Sequence, residues 1–335
     1  MTPGASGSVP SSGGLPPGGR APRVVEDPEA VADLLRSSAA RRSSRDQLSR
    51  GTPGFDAVSP RAGELDAAAV ADLAARDPDA AARVLAAAAR AFDPGLRAAA
   101  RALAARLPLG TPRRGTADRP GTSRVVTRQE PTGSDVDLDA TLAARGAEPH
   151  WRAEHLHTRG WRSTGRATVL LVDASGSVAG DELAAAVLTA AALVQRMRPG
   201  DELGVVAFWS TAVVLRPLSA DPRVDVVVDR LCDLRGGGTT DLELGLRTAA
   251  AQIARSRAAD RQVLLLSDGV PTESPDPLAA AAALARIPAR LQVLALSPEE
   301  EAMTSCAALA AAGGGRVAAL HRPTQAPSAV RELLG

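Results

Sequence analysis

From Gly165 to the C-terminus, short apolar runs alternate with stretches of helical length, and this alternation most constrains how the chain folds. The runs Ala167 to Val172, Leu203 to Phe208, Ala212 to Leu215, Val263 to Leu266, Leu291 to Leu296 and Arg316 to Leu320 read as strands. Between and after them, Ala179 to Met197, Asp221 to Leu231, Leu242 to Arg255, Pro277 to Ala285, Glu299 to Ala312 and Ala329 to Leu334 read as helices. Strands that are apolar on both faces must be covered on both faces, and parallel strands need crossover helices. The expected class is therefore α/β, a doubly wound, mostly parallel sheet.

The ends of these strands carry the chemistry. The first run ends in Asp173-Ala174-Ser175-Gly176-Ser177, where a strand delivers a carboxylate and the following turn aims two hydroxyls at the same point. Each piece has a plain reading: short oxygen-bearing side chains cap helices, and Asp268-Gly269 before Pro271 is an ordinary turn. Two other segments fall at the same kind of position. Thr239 and Thr240 follow Gly236-Gly237-Gly238, and Asp268 closes the run Val263 to Leu266. Open α/β sheets place ligands at the C-terminal ends of their strands. Together, Asp173, Ser175, Ser177, Thr240 (or Thr239) and Asp268 form an oxygen-only set suited to a divalent cation.

In this order the residues resemble the von Willebrand factor A domains and their metal-ion-dependent adhesion site, whose motif is D-x-S-x-S, then a threonine, then an aspartate. Thr240 is preferred to Thr239 because Thr240-Asp241-Leu242 before a helix is similar to the family's pattern; Thr239 stays open. The resemblance covers residues 165–335. It implies that the serines and threonine ligate Mg²⁺ or Mn²⁺, with the aspartates acting mostly through bound water. Three neutral hydroxyls cancel none of the ion's charge. At an effective dielectric near 20, two unit charges about 4 Å apart interact by about 4 kcal/mol, so a partner's Asp or Glu is the natural sixth ligand. The resemblance further implies a non-enzymatic protein-binding module. It is similar to intracellular bacterial members that work beside MoxR-type AAA+ ATPases, with a magnesium- or cobalt-chelatase-like subunit as the alternative.

Upstream, residues 1–60 mix Gly, Pro, Ser and Arg without periodicity, which predicts a mostly disordered segment with one short helix at Pro28 to Ser37. Residues 61–108 turn alanine-rich and helical. Asp77-Pro78 and Asp93-Pro94 each place an N-cap before a proline at the first helical position, giving a small bundle of about three helices. The bundle either docks a partner or packs on the main domain; its small apolar side chains favour packing. Residues 109–134 read as a basic Gly/Pro-rich linker with Arg113, Arg114, Arg119, Arg124 and Arg128, and 135–164 as a connecting arm. In that arm, Asp135-Val136-Asp137-Leu138-Asp139 reads as a half-buried strand or a weak calcium-like cluster, with Asp139 as a helix cap. His155 and His157 read as a polar strand face.

Composition excludes several classes. The chain has no lysine, so a Walker A lysine is absent, and the first strand-to-helix turn lacks G-x-G-x-x-G. Ser175 is not in a G-x-S-x-G elbow. A metal-dependent phosphohydrolase is the remaining enzymatic alternative, yet such sites set several carboxylates directly on the metal. Net charge is +1, which gives no global field for nucleic acid. Two distant cysteines, no signal pattern at Met1 to Arg20 and no apolar stretch of about 18 residues point to the cytoplasm and away from the membrane.

Overall fold

The computed structural model describes residues 23–38, 42–105, 123–128, 135–163, 165–175, 180–219, 223–270, 272 and 276–335. Its first strand, β1 (Arg23–Val25), is followed by α1 (Pro28–Ser38), α2 (Arg45–Gly51) and α3 (Phe55–Val58). Structure in this stretch corrects the expectation of disorder through residue 60. Val25, Val31, Leu48, Phe55 and Val58 are buried, and an apolar side chain withdrawn from water holds its backbone in place.

Three helices come next, α4 (Ala67–Arg76), α5 (Pro78–Ala88) and α6 (Pro94–Ala104). The carboxylates of Asp77 and Asp93 accept from the backbone N–H groups of Ala80 and Leu96, so the two Asp-Pro pairs start α5 and α6 as their sequence implies. The bundle packs on the main sheet's helices and shares their core. Its interface is built from alanines such as Ala82, Ala86 and Ala104, whose small side chains let helices approach closely.

Strand β2 (Ser123–Arg128) lies within the stretch read as a linker, and pairs antiparallel with β4 (Thr158–Ser163). With β3 (Asp135–Val136), these strands form a three-stranded sheet in the order β2-β4-β3. Arg113, Arg114 and Arg119 lie outside the described residues. Helix α7 (Leu138–Arg145) is capped by Asp137, which accepts from the N–H of Ala140, so the cap stands two residues before the Asp139 expected from the sequence. His155 ends a short 3₁₀ turn and His157 precedes β4, so the two do not share a strand face.

The remaining elements are β5 (Arg166–Asp173), α8 (Asp181–Arg196), β6 (Glu202–Phe208), β7 (Thr211–Ser219), α9 (Val224–Asp233), α10 (Leu242–Ile253), β8 (Asp260–Ser267), α11 (Pro277–Arg286), β9 (Ala289–Ala295), α12 (Glu300–Ala312), β10 (Val317–Ala319) and α13 (Ala326–Leu334). They build a seven-stranded sheet in the order β1-β7-β6-β5-β8-β9-β10. All neighbours run parallel except β6 and β7, which form a hairpin. Side chains alternate between the faces of β5: Leu170 and Val172 join α8, α9, α13 and the bundle, whereas Val169 and Leu171 join α10, α11 and α12. The doubly wound α/β architecture is thus the one present. Because β5, β8, β9 and β10 point the same way, their C-terminal ends share one edge, where Asp173 and Asp268 emerge.

Candidate metal centre

Asp173 is the last residue of β5, the centre of the sheet. Its Oδ1 accepts from the backbone N–H of Ser175 at 3.0 Å, which closes the tight turn needed to bring the Ser175 hydroxyl back toward the strand end. Its Oδ2 accepts from the hydroxyl of Ser267 at 2.7 Å. Ser267 ends the neighbouring strand β8 and also accepts from Gly269 N–H at 2.9 Å, so one hydroxyl ties β5 to the turn that carries Asp268. Asp268 in turn accepts from Val270 N–H at 3.0 Å.

The third segment arrives through glycine. A Cβ at Gly236 would lie 1.7 Å from the carbonyl oxygen of Ala174, so the glycine loop sits directly on the residue after Asp173. Only a residue without a side chain permits that approach. Asp241 then fastens the loop, donating its N–H to Trp209 O at 3.1 Å and capping α10 through Leu244 N–H at 2.9 Å. Between them, Thr240 is buried and locked at both backbone groups: its N–H donates to the Thr272 hydroxyl at 2.6 Å, and its carbonyl accepts from Thr272 N–H at 3.3 Å. Thr239 is more exposed than Thr240.

The structure therefore gathers the segments bearing Asp173, Ser175, Thr240 and Asp268 at one edge of the sheet. Ser177 lies outside the described residues. Ser267, Thr272 and Glu182 were not singled out from sequence. The serine directly before Asp268 at a strand end was the available signal for Ser267, whereas Glu182 in the first turn of α8 reads as an ordinary helix-start acid.

Electrostatics set the character of the site. Burial pushes the Asp173 carboxyl up; hydrogen bonds from Ser175 and Ser267 offset part of this, and the charge of Asp268 adds to the rise. Glu182 is also raised, first by loss of hydration at its carboxyl and then by the charges of Asp173 and Asp268. Behind the site, burial and Asp268 push the Cys306 thiol up to about 12, leaving it neutral at physiological pH. The charge of Asp268 thus opposes the ionisation of both Asp173 and Glu182, which a cation would relieve. Among the described residues no group of three or more His, Cys, Asp or Glu side chains is placed to hold a metal ion. Hydroxyl, carbonyl, carboxylate and water oxygens are the donors that Mg²⁺ and Mn²⁺ prefer.

The family model for the von Willebrand factor type A domain matches residues 168–270, the span from β5 to the turn after Asp268. The chain contains a von Willebrand factor type A domain. Such domains are general protein-interaction modules, often metal-dependent and usually non-enzymatic. Over 185 residues the chain is 31% identical to the uncharacterized protein Rv2850c of Mycobacterium tuberculosis, covering 50% of this chain and 29% of that protein. It thus spans under a third of the length of this curated relative. Among solved structures it is similar to a von Willebrand factor type A protein from Catenulispora acidiphila, at 21% identity and a TM-score of 0.44, covering 52% of this chain and 43% of that one. It is also similar to the manganese-loaded TRAP protein of Plasmodium vivax, at 17% identity and a TM-score of 0.40, covering 50% and 72%. No described helix is long and apolar enough to cross a membrane.

Proposed function

We propose that the A domain is a non-enzymatic, metal-dependent protein-binding module. Ser175, Ser177 and Thr240 would hold Mg²⁺ or Mn²⁺ directly, Asp173 and Asp268 would act through water, and a partner's Asp or Glu would complete the shell. The observation that carries this reading is the convergence of three separate segments on Asp173, whose own carboxyl is destabilised by burial and by Asp268. Thr240 is favoured over Thr239 because its backbone is pinned on both sides by Thr272. When bound, the ion supplies a Lewis-acidic position for a carboxylate. The chain's own residues shape that position, fix its hydroxyls and keep its negative charges one step away.

A phosphohydrolase would want several carboxylates directly on the metal, whereas the shell proposed here is made of hydroxyls. The partner we propose is a MoxR-type AAA+ ATPase in the cytoplasm, a reading that rests on the family resemblance and on two buried, free cysteines, Cys232 and Cys306. Affinity capture tests this. Immobilised chain should retain an AAA+ ATPase from cell extract in Mg²⁺, and lose it in EDTA or with Ser175→Ala. Capture indifferent to chelation would overturn the proposal, as would phosphatase activity abolished by Asp173→Ala.

A further inference from the structure

The run Gly236 to Gly238 carries the Thr240 segment to the sheet edge where Asp173 emerges, yet three glycines in succession set no direction of their own. Gly237 and Gly238 lie at φ of 138° and 91°, a region that residues with side chains rarely adopt. Such a loop is held by whatever fixes its two ends. The downstream end is tied to the domain through the bonds of Asp241 to Trp209 and of Thr240 to Thr272. The upstream end is the last turn of α9, whose final carbonyls find no donor within the helix.

Those carbonyls are met from outside. Arg90, two residues past the end of α5, donates from Nε to the Cys232 carbonyl and from Nη2 to the Leu234 carbonyl, both at 3.2 Å. Arg90, Cys232 and Leu234 are all buried, and a buried carbonyl deprived of its donor is costly. Burial, then the like charge of Arg235, draws the Arg90 guanidinium down to about 9, which leaves it charged and a strong donor at neutral pH. Arg235 reaches the same two carbonyls at 3.1 and 3.0 Å. It belongs to the loop and travels with it, so it can close the turn but cannot locate it. Arg90 stands 142 and 144 residues away in sequence, and its own carbonyl accepts from Ser43 N–H at 3.1 Å. It therefore references the loop to a separate element. Two residues beyond Leu234, Gly236 rests against the Ala174 carbonyl oxygen, so a shift of the α9 end passes to the residue beside Asp173.

We infer that Arg90 is a positioning residue of the candidate metal centre: from the helical bundle it sets where the glycine loop starts, and so how the Thr240 segment meets the end of β5. What the loop serves rests on the proposed function, while its anchoring by Arg90 stands on contacts among the described residues.

Two measurements on the full chain separate the anchoring from the metal. Hydrogen exchange read by mass spectrometry follows the amides of residues 235–241 without any ion, and the paramagnetic resonance signal of free Mn²⁺ reads affinity. Arg90→Met keeps much of the side chain's length and removes its donors. Exchange across 235–241 should rise by about tenfold while β5 and β8 stay unchanged, and Mn²⁺ should bind about tenfold more weakly. Arg90→Lys, which can still donate to a carbonyl, should recover part of both; should Arg90→Met not fold, it carries the same comparison at about threefold. The control is Asp79→Ala, which removes the bundle's hydrogen bonds to Thr324 at 3.0 and 2.7 Å and leaves α9 untouched. It should stay within about twofold of the parent in both readouts even where it lowers the melting temperature as much. Loop exchange unchanged in the Arg90 variants would overturn the inference, and so would a loosened loop with the parent's Mn²⁺ affinity. Equal losses from Asp79→Ala would reduce Arg90 to general stability and overturn it too. A parent that ignores Mn²⁺ would sink the proposed function instead, and faster exchange confined to the loop would still uphold its anchoring by Arg90.

Discussion

Replacing Gly236 with alanine tests the claim that glycine lets the threonine loop reach Asp173. The new Cβ would lie 1.7 Å from the Ala174 carbonyl oxygen, 2.6 Å from its carbon and 2.7 Å from its Cβ, where ordinary contact begins at 3.4 Å. The loop and the end of β5 would have to part by roughly 1.7 Å, because the obstructing atoms are mostly backbone and cannot rotate away. Overpacking of this kind costs about 1–3 kcal/mol, and a backbone clash belongs at the upper end. At about 2–4 °C per kcal/mol, a cost of about 3 kcal/mol should lower the melting temperature by about 6–12 °C. The effect on the ion should be larger. Magnesium–oxygen bonds of about 2.0–2.1 Å leave no room for a donor displaced by more than an ångström, so the stabilisation by Mg²⁺ should vanish. Differential scanning fluorimetry of the parent, Gly236→Ala and Gly51→Ala, with Mg²⁺ and with EDTA, reads both effects. Gly51 has nothing within 4 Å and serves as the neutral control. A Gly236→Ala protein that melts like the parent and still responds to Mg²⁺ would refute the reasoning.

Other outcomes follow from the same contacts. Mg²⁺ at a hundredfold excess over its dissociation constant should stabilise the parent by about 2.7 kcal/mol, and Ser175→Ala should lose most of that in the same thermal assay. Burial alone would raise the Asp260 carboxyl, but the guanidiniums of Arg166 and Arg290 outweigh it and hold the carboxyl below its ordinary value of 3.8. A depressed carboxylate adds stability above the unfolded value and loses it as pH falls through the folded one. Asp260→Asn should therefore cost about 2 kcal/mol in urea unfolding at pH 7, with the difference closing in acid; a constant difference across that range would contradict the pairing. Arg101, largely buried on α6, meets Asp229 and Asp233 of α9 at 3.2 Å each. Arg101→Ala should cost about 2 kcal/mol by urea titration, and because α9 leads into the glycine loop it should also weaken Mg²⁺ binding. An effect below about 0.5 kcal/mol would mean that the bundle does not brace that helix.

The alternation after Gly165 was enough to read the sheet, because strands buried on both faces must be apolar throughout and their ends define a ligand edge. The Asp-Pro caps gave the starts of α5 and α6 for an equally local reason. What escaped was set by distant contacts. Strand β1 has only three residues and exists because β7 offers it an open edge. Phe55 stands in a Gly- and Pro-rich stretch whose composition suggests disorder, yet it is fully buried against the bundle. β7 runs on through Pro217 to Ser219, past the expected end at Leu215. At the candidate site, spacing and strand context were enough to anticipate that the segments bearing Asp173, Ser175, Thr240 and Asp268 lie at one edge of the sheet. The hydroxyl of Ser267 that steadies Asp173, and Thr272 that pins Thr240, depend on neighbours 94 and 32 residues away in sequence. Glu182 becomes part of the site's electrostatics only through its closeness to Asp173 and Asp268.

A crystal of the full chain grown with Mn²⁺ and measured at the manganese edge tests the central claim directly. The account predicts one anomalous peak at the C-terminal edge of β5, in direct coordination with the hydroxyls of Ser175, Ser177 and Thr240 and one water removed from Asp173 and Asp268. A peak bound elsewhere, or those hydroxyls turned away from an ion at that edge, would contradict it.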